Sequence, residues 1–348
     1  MAKKVKWGIL STAKIGREQV IPALKKSDLA DVVAIASRDG NRAQDAAVEF
    51  GIPKAYASYE ALLADPEIDA VYNPLPNHLH APLTIKALNA GKHVLCEKPI
   101  ALNAKEAQQI EAAQRRSGKI VAEAFMVRFH PQWQRAREIS GSGRLGDVRA
   151  IHTFFSYHLA DPDNIRNQAD IGGGGLYDVG CYAVATARFI FGADPERVVG
   201  VFDRDPSMRT DRLASGLAEF PNGRHLAFTC ATQLVPTQRV QIVGTKGRLE
   251  IQLPFNPRRD QPTRLVIDDG RDLIGSGAET EEFPPSDQYQ RQGDVFSRAI
   301  LEGSSLEFPV ADAIMNMRVL DALFRSELDN ATVKKSWFHC YGTGSCVC

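Results

Sequence analysis

Three side chains have the types and positions that oxidation of a hydroxyl group requires. Asp178 and Tyr182 are four residues apart, so a helix would place them on one face. Lys98 directly follows a short apolar segment with the pattern of a strand. Oxidising a hydroxyl needs a hydride acceptor and a base for the hydroxyl proton. These residues could supply the base; a core tyrosine and a surface lysine are the alternative interpretation.

Tyr182 is the predicted proton acceptor. The reference pKa of tyrosine, about 10, is too high for unaided proton transfer near neutrality. An ammonium group from Lys98 would favour the phenolate and lower that pKa. Asp178 would then orient the substrate or hold Lys98.

The segment between the first strand and the first helix has part of a dinucleotide-binding pattern. The usual sequence is G-x-G-x-x-G, and the aligned residues are Ser11, Thr12, Ala13, Lys14, Ile15 and Gly16. Only the third glycine is present, although Ser11 and Ala13 are small enough to let the backbone approach a pyrophosphate. An ordinary strand-to-helix turn is the alternative, but the alternating pattern that follows favours a cofactor site.

The end of the second strand bears on which nicotinamide cofactor is used. An acidic residue there would bind the ribose 2′-hydroxyl of NAD, but this chain has Ser37 and Arg38. A hydroxyl and a guanidinium suit the 2′-phosphate of NADP, and Arg42 lies close by in sequence. The sequence thus favours NADP. Asp39, one residue later, could be argued to bind NAD, and Arg38 could instead be a solvated loop residue that binds no cofactor.

The first 123 residues alternate strand-like and helix-like segments. The strand patterns cover 5–10, 31–37, 69–72, 93–96 and 120–123, and the longer helix patterns cover 15–26, 41–50, 82–90 and 103–117. Strands that are apolar on both faces and alternate with helices predict a parallel sheet covered on both sides. The sequence therefore predicts an α/β, doubly wound Rossmann domain at 1–123, with ligands at the carboxyl ends of its strands.

The pattern changes after Glu123. Strand patterns now dominate, at 148–157, 198–203, 212–220, 225–233, 238–243 and 248–253. Asn222-Gly223 between two of them predicts a hairpin. A glycine run at 172–175, which would let the backbone pass close to a ligand, opens a helix, and helices at 287–302 and 310–329 follow. The sequence predicts a C-terminal α+β domain with a mainly antiparallel sheet at 124–336.

Composition excludes some classes of function. Lysine plus arginine and aspartate plus glutamate each total 42 of 348 residues, so no basic bias points to nucleic acid or an anionic membrane. The chain has no apolar run of membrane-spanning length and no signal-peptide pattern, and we expect a cytoplasmic protein. Zero net charge makes a homo-oligomer, a dimer or tetramer, plausible.

The cysteines fall into two groups. Cys96, Cys181 and Cys230 lie in apolar contexts and are predicted to be buried free thiols. The others, Cys340, Cys346 and Cys348, lie in a segment at 337–348 that is predicted to be a disordered tail, with a zinc or redox site as the alternative. The histidines at 130, 152 and 158 are not spaced as metal ligands, so no metal site is expected.

Five stretches together resemble one family. They are EKP at 97–99, NPLPNH at 73–78, WGILSTA at 7–13, AFMVRFHP at 124–131 and GGGGLYDVGCY at 172–182. Over about residues 5–335 the chain resembles the Gfo/Idh/MocA oxidoreductases, in the branch of dimeric dihydrodiol dehydrogenase, NADP-dependent D-xylose dehydrogenase and glucose–fructose oxidoreductase. The resemblance implies a Rossmann domain, a large open antiparallel sheet used in oligomer contacts, a catalytic Lys98 and often a cis peptide before Pro99. Many members have histidine at the position of Tyr182, which puts a histidine-based mechanism in doubt here.

Further residues are predicted around the two ligands. The candidates for the substrate pocket, besides Asp178 and Tyr182, are Arg128, Phe154, Tyr157, Asn164 and Arg166. Near the nicotinamide the candidates are Pro74, Asn77, His78, Glu97 and Lys98. The predicted function is hydride transfer between NADP and an aldose or a cyclic polyol or diol. A transhydrogenase with tightly held NADP and a non-catalytic NADP-binding sensor are the alternatives, and retention of Lys98 and Tyr182 argues against the sensor.

Overall fold

The computed structural model describes residues 3–335 and divides into two compact units. The first comprises the chain up to Met126 together with Asp287–Met317, and the second comprises Val127–Ser286 and the chain from Arg318. The predicted tail at 337–348, with Cys340, Cys346 and Cys348, lies outside the described residues.

The first unit is built on a parallel sheet of six strands in the order β3-β2-β1-β4-β5-β6. The strands are β1 (Val5–Leu10), β2 (Ala30–Ala36), β3 (Lys54–Tyr56), β4 (Ala70–Asn73), β5 (His93–Cys96) and β6 (Val121–Glu123). Between them lie α1 (Ile21–Lys25), α2 (Gly40–Phe50), α3 (Tyr59–Ala64), α4 (His80–Asn89) and α5 (Ala104–Ser117). This arrangement confirms the predicted doubly wound domain, and the strand order reverses between β1 and β4, where such sheets bind ligands.

The second unit is built on a nine-stranded sheet in the order β14-β13-β12-β11-β7-β10-β9-β8-β15. Its strands are β7 (Val148–His158), β8 (Arg197–Arg204), β9 (Asp211–Phe220), β10 (Arg224–Ala231), β11 (Gln233–Gly244), β12 (Arg248–Ile251), β13 (Thr263–Asp268), β14 (Ala278–Phe283) and β15 (Val333–Lys334). Its helices include α6 (Pro131–Gly141) and α7 (Cys181–Phe191). Among the described strands β7 and β10 pair in parallel and the other neighbours are antiparallel, which confirms the predicted mostly antiparallel sheet.

The sequence predicted a hairpin correctly from its turn residues but missed some strands of the sheets. The predicted hairpin at Asn222-Gly223 is confirmed between β9 and β10, where both residues have a φ of 66°. Strand β14 was not predicted, because its sequence AETEEF is mostly exposed at the sheet edge and lacks apolar alternation. Strand β3 was missed because it has only three residues.

Two long helices lie between β14 and β15. They are α8 (Gln288–Glu302) and α9 (Val310–Asp329), as the sequence predicts. In α8, Phe296 packs on Trp7 of β1 with ring centroids 5.4 Å apart, and the Trp7 indole Nε1 donates to Ser297 Oγ at 3.2 Å. The structure therefore groups α8 with the first unit, unlike the domain predicted at 124–336. The observed unit and the predicted domain differ because the sequence of a helix with one apolar face does not show which sheet that face covers.

Cys96, Cys181 and Cys230 are buried, as predicted. Within residues 3–335, no helix has the length and apolar character to cross a membrane. In the same part of the chain, no cluster of three or more histidine, cysteine, aspartate or glutamate side chains is arranged to hold a metal ion.

Candidate active site

The turn after β1 is shaped by Ser11. Its φ is 111°, which is rare outside glycine, and its Oγ accepts a hydrogen bond from Ala13 N at 3.0 Å. A helix then runs from residue 14 to residue 25. The first N–H groups of any helix lack partners within it and favour an anion. Thr12 and Ile15 are partly exposed, and Lys14 is exposed with its Nζ 3.8 Å from Glu18 Oε1. The N–H donors at this turn thus fit a pyrophosphate.

At the end of β2, the carboxylate of Asp39 serves a structural purpose. Asp39 Oδ1 accepts from Asn41 N at 3.0 Å and from Arg42 N at 3.3 Å, and so caps α2. Arg38 is exposed, and Ser37 is buried with its Oγ accepting from Asp39 N at 3.2 Å. Arg38, Asp39 and Arg42 are all exposed, and Arg42 Nε lies 3.6 Å from Asp39 Oδ2. Because the Asp39 carboxylate caps α2 and pairs with Arg42, the argument that Asp39 binds a ribose is weakened.

Tyr59 supports Arg38. Burial raises the pKa of Tyr59, and the positive charge of the nearby Arg38 guanidinium opposes that rise. Tyr59 is the first residue of α3 and is 8% exposed, so its ring is fixed by packing. The guanidinium next to it is therefore partly oriented before any ligand binds.

The turn after β5 holds Glu97 and Lys98 in a network. Tyr72 Oη donates to Glu97 Oε1 at 2.6 Å, and Glu97 N donates to Asn73 O at 3.0 Å. Burial, followed by the Glu97 charge, raises the pKa of Tyr72 well above its ordinary range. Lys98 is partly buried, and the Lys98–Pro99 peptide is cis, as the resemblance implied.

The loop after β4 lies against this turn through His80. Its Nδ1 is 2.6 Å from Pro99 O and its Nε2 is 2.6 Å from Leu75 O. Pro74 is buried, and Asn77 and His78 are partly exposed in a short 3₁₀ turn. The structure thus brings the predicted loop to the predicted turn, through a histidine that sequence reasoning did not select.

In the second unit, two predicted substrate residues hydrogen-bond the carboxylate of a third, Asp178. Tyr157 Oη donates to Asp178 Oδ2 at 2.5 Å, and Arg166 Nε donates to the same oxygen at 3.0 Å. The Asp178 charge, as the largest cause, raises the pKa of Arg166. Burial and then Asp178 raise the pKa of Tyr157. This is a charged cluster with several hydrogen-bonding groups, suited to a ligand rich in hydroxyls.

Tyr182 lies one turn beyond Asp178. A π-helical turn at Leu176–Gly180 leads into α7, whose second residue is Tyr182. Its ring centroid is 5.2 Å from that of Phe255 and 5.8 Å from that of Phe155, and the residue is 5% exposed. Two aromatic neighbours fix the ring, as a positioned proton acceptor requires.

The remaining predicted pocket residues are divided. Phe154 lies on the opposite face of β7 from Tyr157 and Phe155, because successive side chains of a strand point to opposite faces. The structure therefore separates Phe154 from Asp178. Asn164 caps the turn Ile165–Asn167 by accepting from Arg166 N at 3.1 Å, and Arg128 is buried in the turn before α6.

The glycine run packs on the protein's own groups. A Cβ at Gly174, where φ is 123°, would lie 1.9 Å from Asp211 Oδ1, and a Cβ at Gly173 would lie 2.6 Å from Arg166 O. Asp211 Oδ2 accepts from Leu176 N and so holds the start of the π-helical turn. The sequence suggested that these glycines admit a ligand, but the contacts with Asp211 give them a packing role.

Asp211 should make stability depend on pH. It is 1% exposed, and burial raises its pKa from the ordinary 3.8 to about 7. The folded state thus binds this proton more tightly than the unfolded state, and its contribution to stability falls as pH rises from about 4 to about 7. Asp211→Asn keeps the acceptor for Leu176 N but cannot ionise. We expect the variant to gain stability over the wild type between pH 5 and pH 8, on the order of 3 kcal/mol.

Urea unfolding of both proteins at several pH values measures this difference. Parallel pH profiles for wild type and Asp211→Asn would show that Asp211 does not titrate in this range in the folded protein.

Comparison with known proteins establishes the family. Residues 5–125 match the model of the oxidoreductase family with an NAD-binding Rossmann fold. Residues 133–250 match the GFO/IDH/MocA C-terminal domain. The chain therefore belongs to the Gfo/Idh/MocA family of oxidoreductases, which confirms the resemblance seen in its motifs.

Three relatives are similar along nearly the whole chain. A D-xylose 1-dehydrogenase (NADP(+)) of Haloferax volcanii is 40% identical over 330 residues, covering 94% of this chain and 99% of the relative. A 3-ketoreductase from Actinomadura kijaniata, solved with NADP and TDP-benzene, has a TM-score of 0.87 at 30% identity and covers 93% of this chain and 98% of its own. An aldose-aldose oxidoreductase from Caulobacter crescentus, solved with glycerol, has a TM-score of 0.88 at 26% identity, covering 95% and 100%.

Proposed function

We propose that this protein is an NADP-dependent oxidoreductase that transfers hydride between the nicotinamide and a hydroxyl carbon of an aldose or a related cyclic polyol or diol. The observation that carries the proposal is the cluster of Asp178, Tyr157 and Arg166, one helical turn from Tyr182. It offers a hydroxyl-rich substrate both donors and acceptors. Relatives that act on D-xylose or on aldoses support the substrate class.

The cofactor would be held by side chains and backbone of the first unit. The turn at Ser11, Thr12, Ala13, Lys14 and Ile15 would bind the pyrophosphate, and Ser37, Arg38 and Arg42 would bind the 2′-phosphate. Pro74, Asn77, His78, Glu97 and Lys98 would surround the nicotinamide end. When bound, NADP supplies the hydride acceptor or donor.

The chain's own residues would manage the proton. Tyr182 takes the proton of the substrate hydroxyl during oxidation and returns it during reduction. Lys98 favours the phenolate of Tyr182 through its positive charge. Asp178, held by Tyr157 and Arg166, orients the substrate hydroxyls, and Asn164 keeps Arg166 in place by capping its turn.

An absorbance assay for reduced nicotinamide, run on a panel of aldoses with and without added NADP, tests this function. We expect reduction of added NADP with at least one aldose. Sugar interconversion without added NADP, and without net absorbance change, would instead support a transhydrogenase. Tight NADP binding with no turnover on any sugar or diol would support the sensor.

Replacing Arg38 with alanine should weaken NADP binding and leave NAD binding nearly unchanged. A charge-assisted hydrogen bond to the 2′-phosphate would be lost, so we expect the Kd for NADP to rise about 10–100-fold. Fluorescence titration with the reduced forms of both cofactors measures the two Kd values.

The matched control is Asp39→Asn. Asparagine caps helices as well as aspartate does, so this variant should keep α2 and the preference between the cofactors. Equal loss of affinity for both cofactors in Arg38→Ala would contradict a role for Arg38 in reading the 2′-phosphate. A large gain or loss of NAD affinity in Asp39→Asn would show that Asp39 binds the ribose.

The proposal includes a homo-oligomer in the cytoplasm. The outer face of the nine-stranded sheet exposes Val201 (72%) and Leu217 (56%). Together with Phe154 they line a shallow groove of about 480 Å³. Exposed apolar side chains on a broad face favour a subunit contact, and this would give Phe154 a role outside the substrate pocket. Analytical ultracentrifugation measures the oligomeric state.

A further inference from the structure

His80 touches two functional loops at once. It is the first residue of α4 and is 1% exposed. One ring nitrogen, Nδ1, lies 2.6 Å from Pro99 O in the turn after β5, and the other, Nε2, lies 2.6 Å from Leu75 O in the loop after β4. The imidazole therefore bridges the carbonyl next to Lys98 and the loop that precedes Asn77.

The backbone of His80 is fixed as well. Asn73 Nδ2 donates to His80 O at 3.2 Å and to Thr84 Oγ1 at 3.2 Å. Asn73 Oδ1 accepts from Leu75 N at 3.3 Å, and Asn73 O accepts from Glu97 N at 3.0 Å. The end of β4 thus holds the same two loops that the His80 ring joins, so the ring completes a closed network.

We infer that His80 is a positioning residue for Lys98. It sets the distance between the turn that carries Lys98 and the loop after β4, and this role rests on the proposed catalytic function of Lys98. Pro99, whose carbonyl contacts the ring, directly follows Lys98 in the chain. A displacement of about 1 Å at a reacting group can cost about 100-fold in rate, so a fixed turn matters even though His80 does not touch the substrate.

Each ring nitrogen of His80 contacts one carbonyl oxygen. Both contacts are to carbonyl oxygens, which only accept, and among side chains a histidine ring presents two nitrogens on separated edges. Burial lowers the pKa of His80 to about 4; the carbonyls of Pro99 and Leu75 oppose that effect, and the charges of Lys98 and His78 add to it. At neutral pH the ring therefore carries one N–H, so it can donate to only one of the two carbonyl oxygens at a time.

Kinetics of His80→Leu and His80→Gln test the inference. We expect kcat to fall about 10–100-fold in His80→Leu, while KM for NADP changes less than about threefold. Glutamine retains an N–H donor, so His80→Gln should keep more of kcat than His80→Leu. The apparent pKa in the pH profile of kcat should also rise, because a displaced Lys98 would stabilise the phenolate less.

His93 provides the matched control. It lies at the start of β5 in the same unit, its Nδ1 accepts from Ile120 N at 3.0 Å, and burial lowers its pKa to about 4. His93→Leu removes a partly buried imidazole at the end of β5 away from Lys98. We expect it to keep kcat and the pH profile of the wild type, whatever stability it loses.

Amide hydrogen exchange separates this inference from the proposed function. Exchange at Lys98 and Ile100 should accelerate in His80→Leu and stay unchanged in His93→Leu, whether or not the sugar panel reveals activity. If the wild type shows no NADP-dependent turnover, the proposed function is contradicted but the positioning role of His80 is not. The positioning role of His80 is overturned if His80→Leu keeps both kcat and exchange within twofold of the wild type, or if His93→Leu loses kcat equally.

Discussion

Tyr182→Phe and Lys98→Met should each lower turnover by about 10²–10⁴-fold, because general-base catalysis contributes on that scale. Phenylalanine fills the space between Phe155 and Phe255 but has no hydroxyl to take the substrate proton. Methionine keeps the length of Lys98 without its charge. Stopped-flow measurement of hydride transfer with the best substrate of the sugar panel gives both rates, and cofactor should still bind in both variants.

The double variant and the pH profile show whether the two residues act as a unit. Groups with one shared function lose it once, so the double variant should be little worse than the poorer single variant. In the wild type, oxidation should rise with pH through one apparent pKa that belongs to the coupled pair, and this step should vanish in Tyr182→Phe. Near-full turnover of Tyr182→Phe with an unchanged pH profile would make Asp178 or His78 the next candidate for the base.

Gly174→Ala should destabilise the second unit by about 3–5 kcal/mol, because backbone strain and steric overlap in a buried site are among the causes of large destabilisation. The new Cβ would lie 1.9 Å from Asp211 Oδ1, at a residue whose φ of 123° already disfavours a side chain. Asp211 holds Leu176 N, so its displacement would also disturb the turn that presents Asp178. Chemical unfolding monitored by fluorescence measures the loss, and activity should fall with it.

Gly192→Ala is the matched control. Gly192 has a φ of 59° at the end of α7, and no atom lies within 4 Å of a Cβ placed there. Its substitution adds only the backbone penalty of the left-handed region, about 1–2 kcal/mol. Similar losses in the two variants would mean that contact with Asp211 adds nothing to the requirement for glycine at 174.

Local sequence patterns were sufficient to predict strands that are mostly buried and bounded by polar or turn residues. The predicted bounds of β1 and β5 match those of the structure, because each is a short apolar run within polar neighbours. The same reasoning located Lys98 at the end of β5 and the pair of Asp178 and Tyr182 on consecutive helical turns. These predictions depend on neighbours in the chain, which the sequence displays directly.

Contacts between distant segments were not visible in that way. Asp211 lies 35 residues beyond Leu176, and nothing in the spacing shows that its carboxylate fills the space above Gly174. The sequence did not single out His80, because its role depends on a contact with the carbonyl of Pro99, 19 residues further along the chain. Phe154 was grouped with Tyr157 because both lie in one stretch predicted to shape the substrate pocket, although the alternation of a strand places them on opposite faces.

The return of the chain to the first unit affects how such proteins can recombine. Phe296 and Ser297, which cover Trp7, come from a segment encoded more than 280 residues after it. A chimera that exchanges only residues up to 126 between two relatives would pair one parent's sheet with the other parent's covering helix. Exchange of cofactor specificity by gene shuffling would therefore succeed most readily when Asp287–Met317 is exchanged together with the N-terminal sequence.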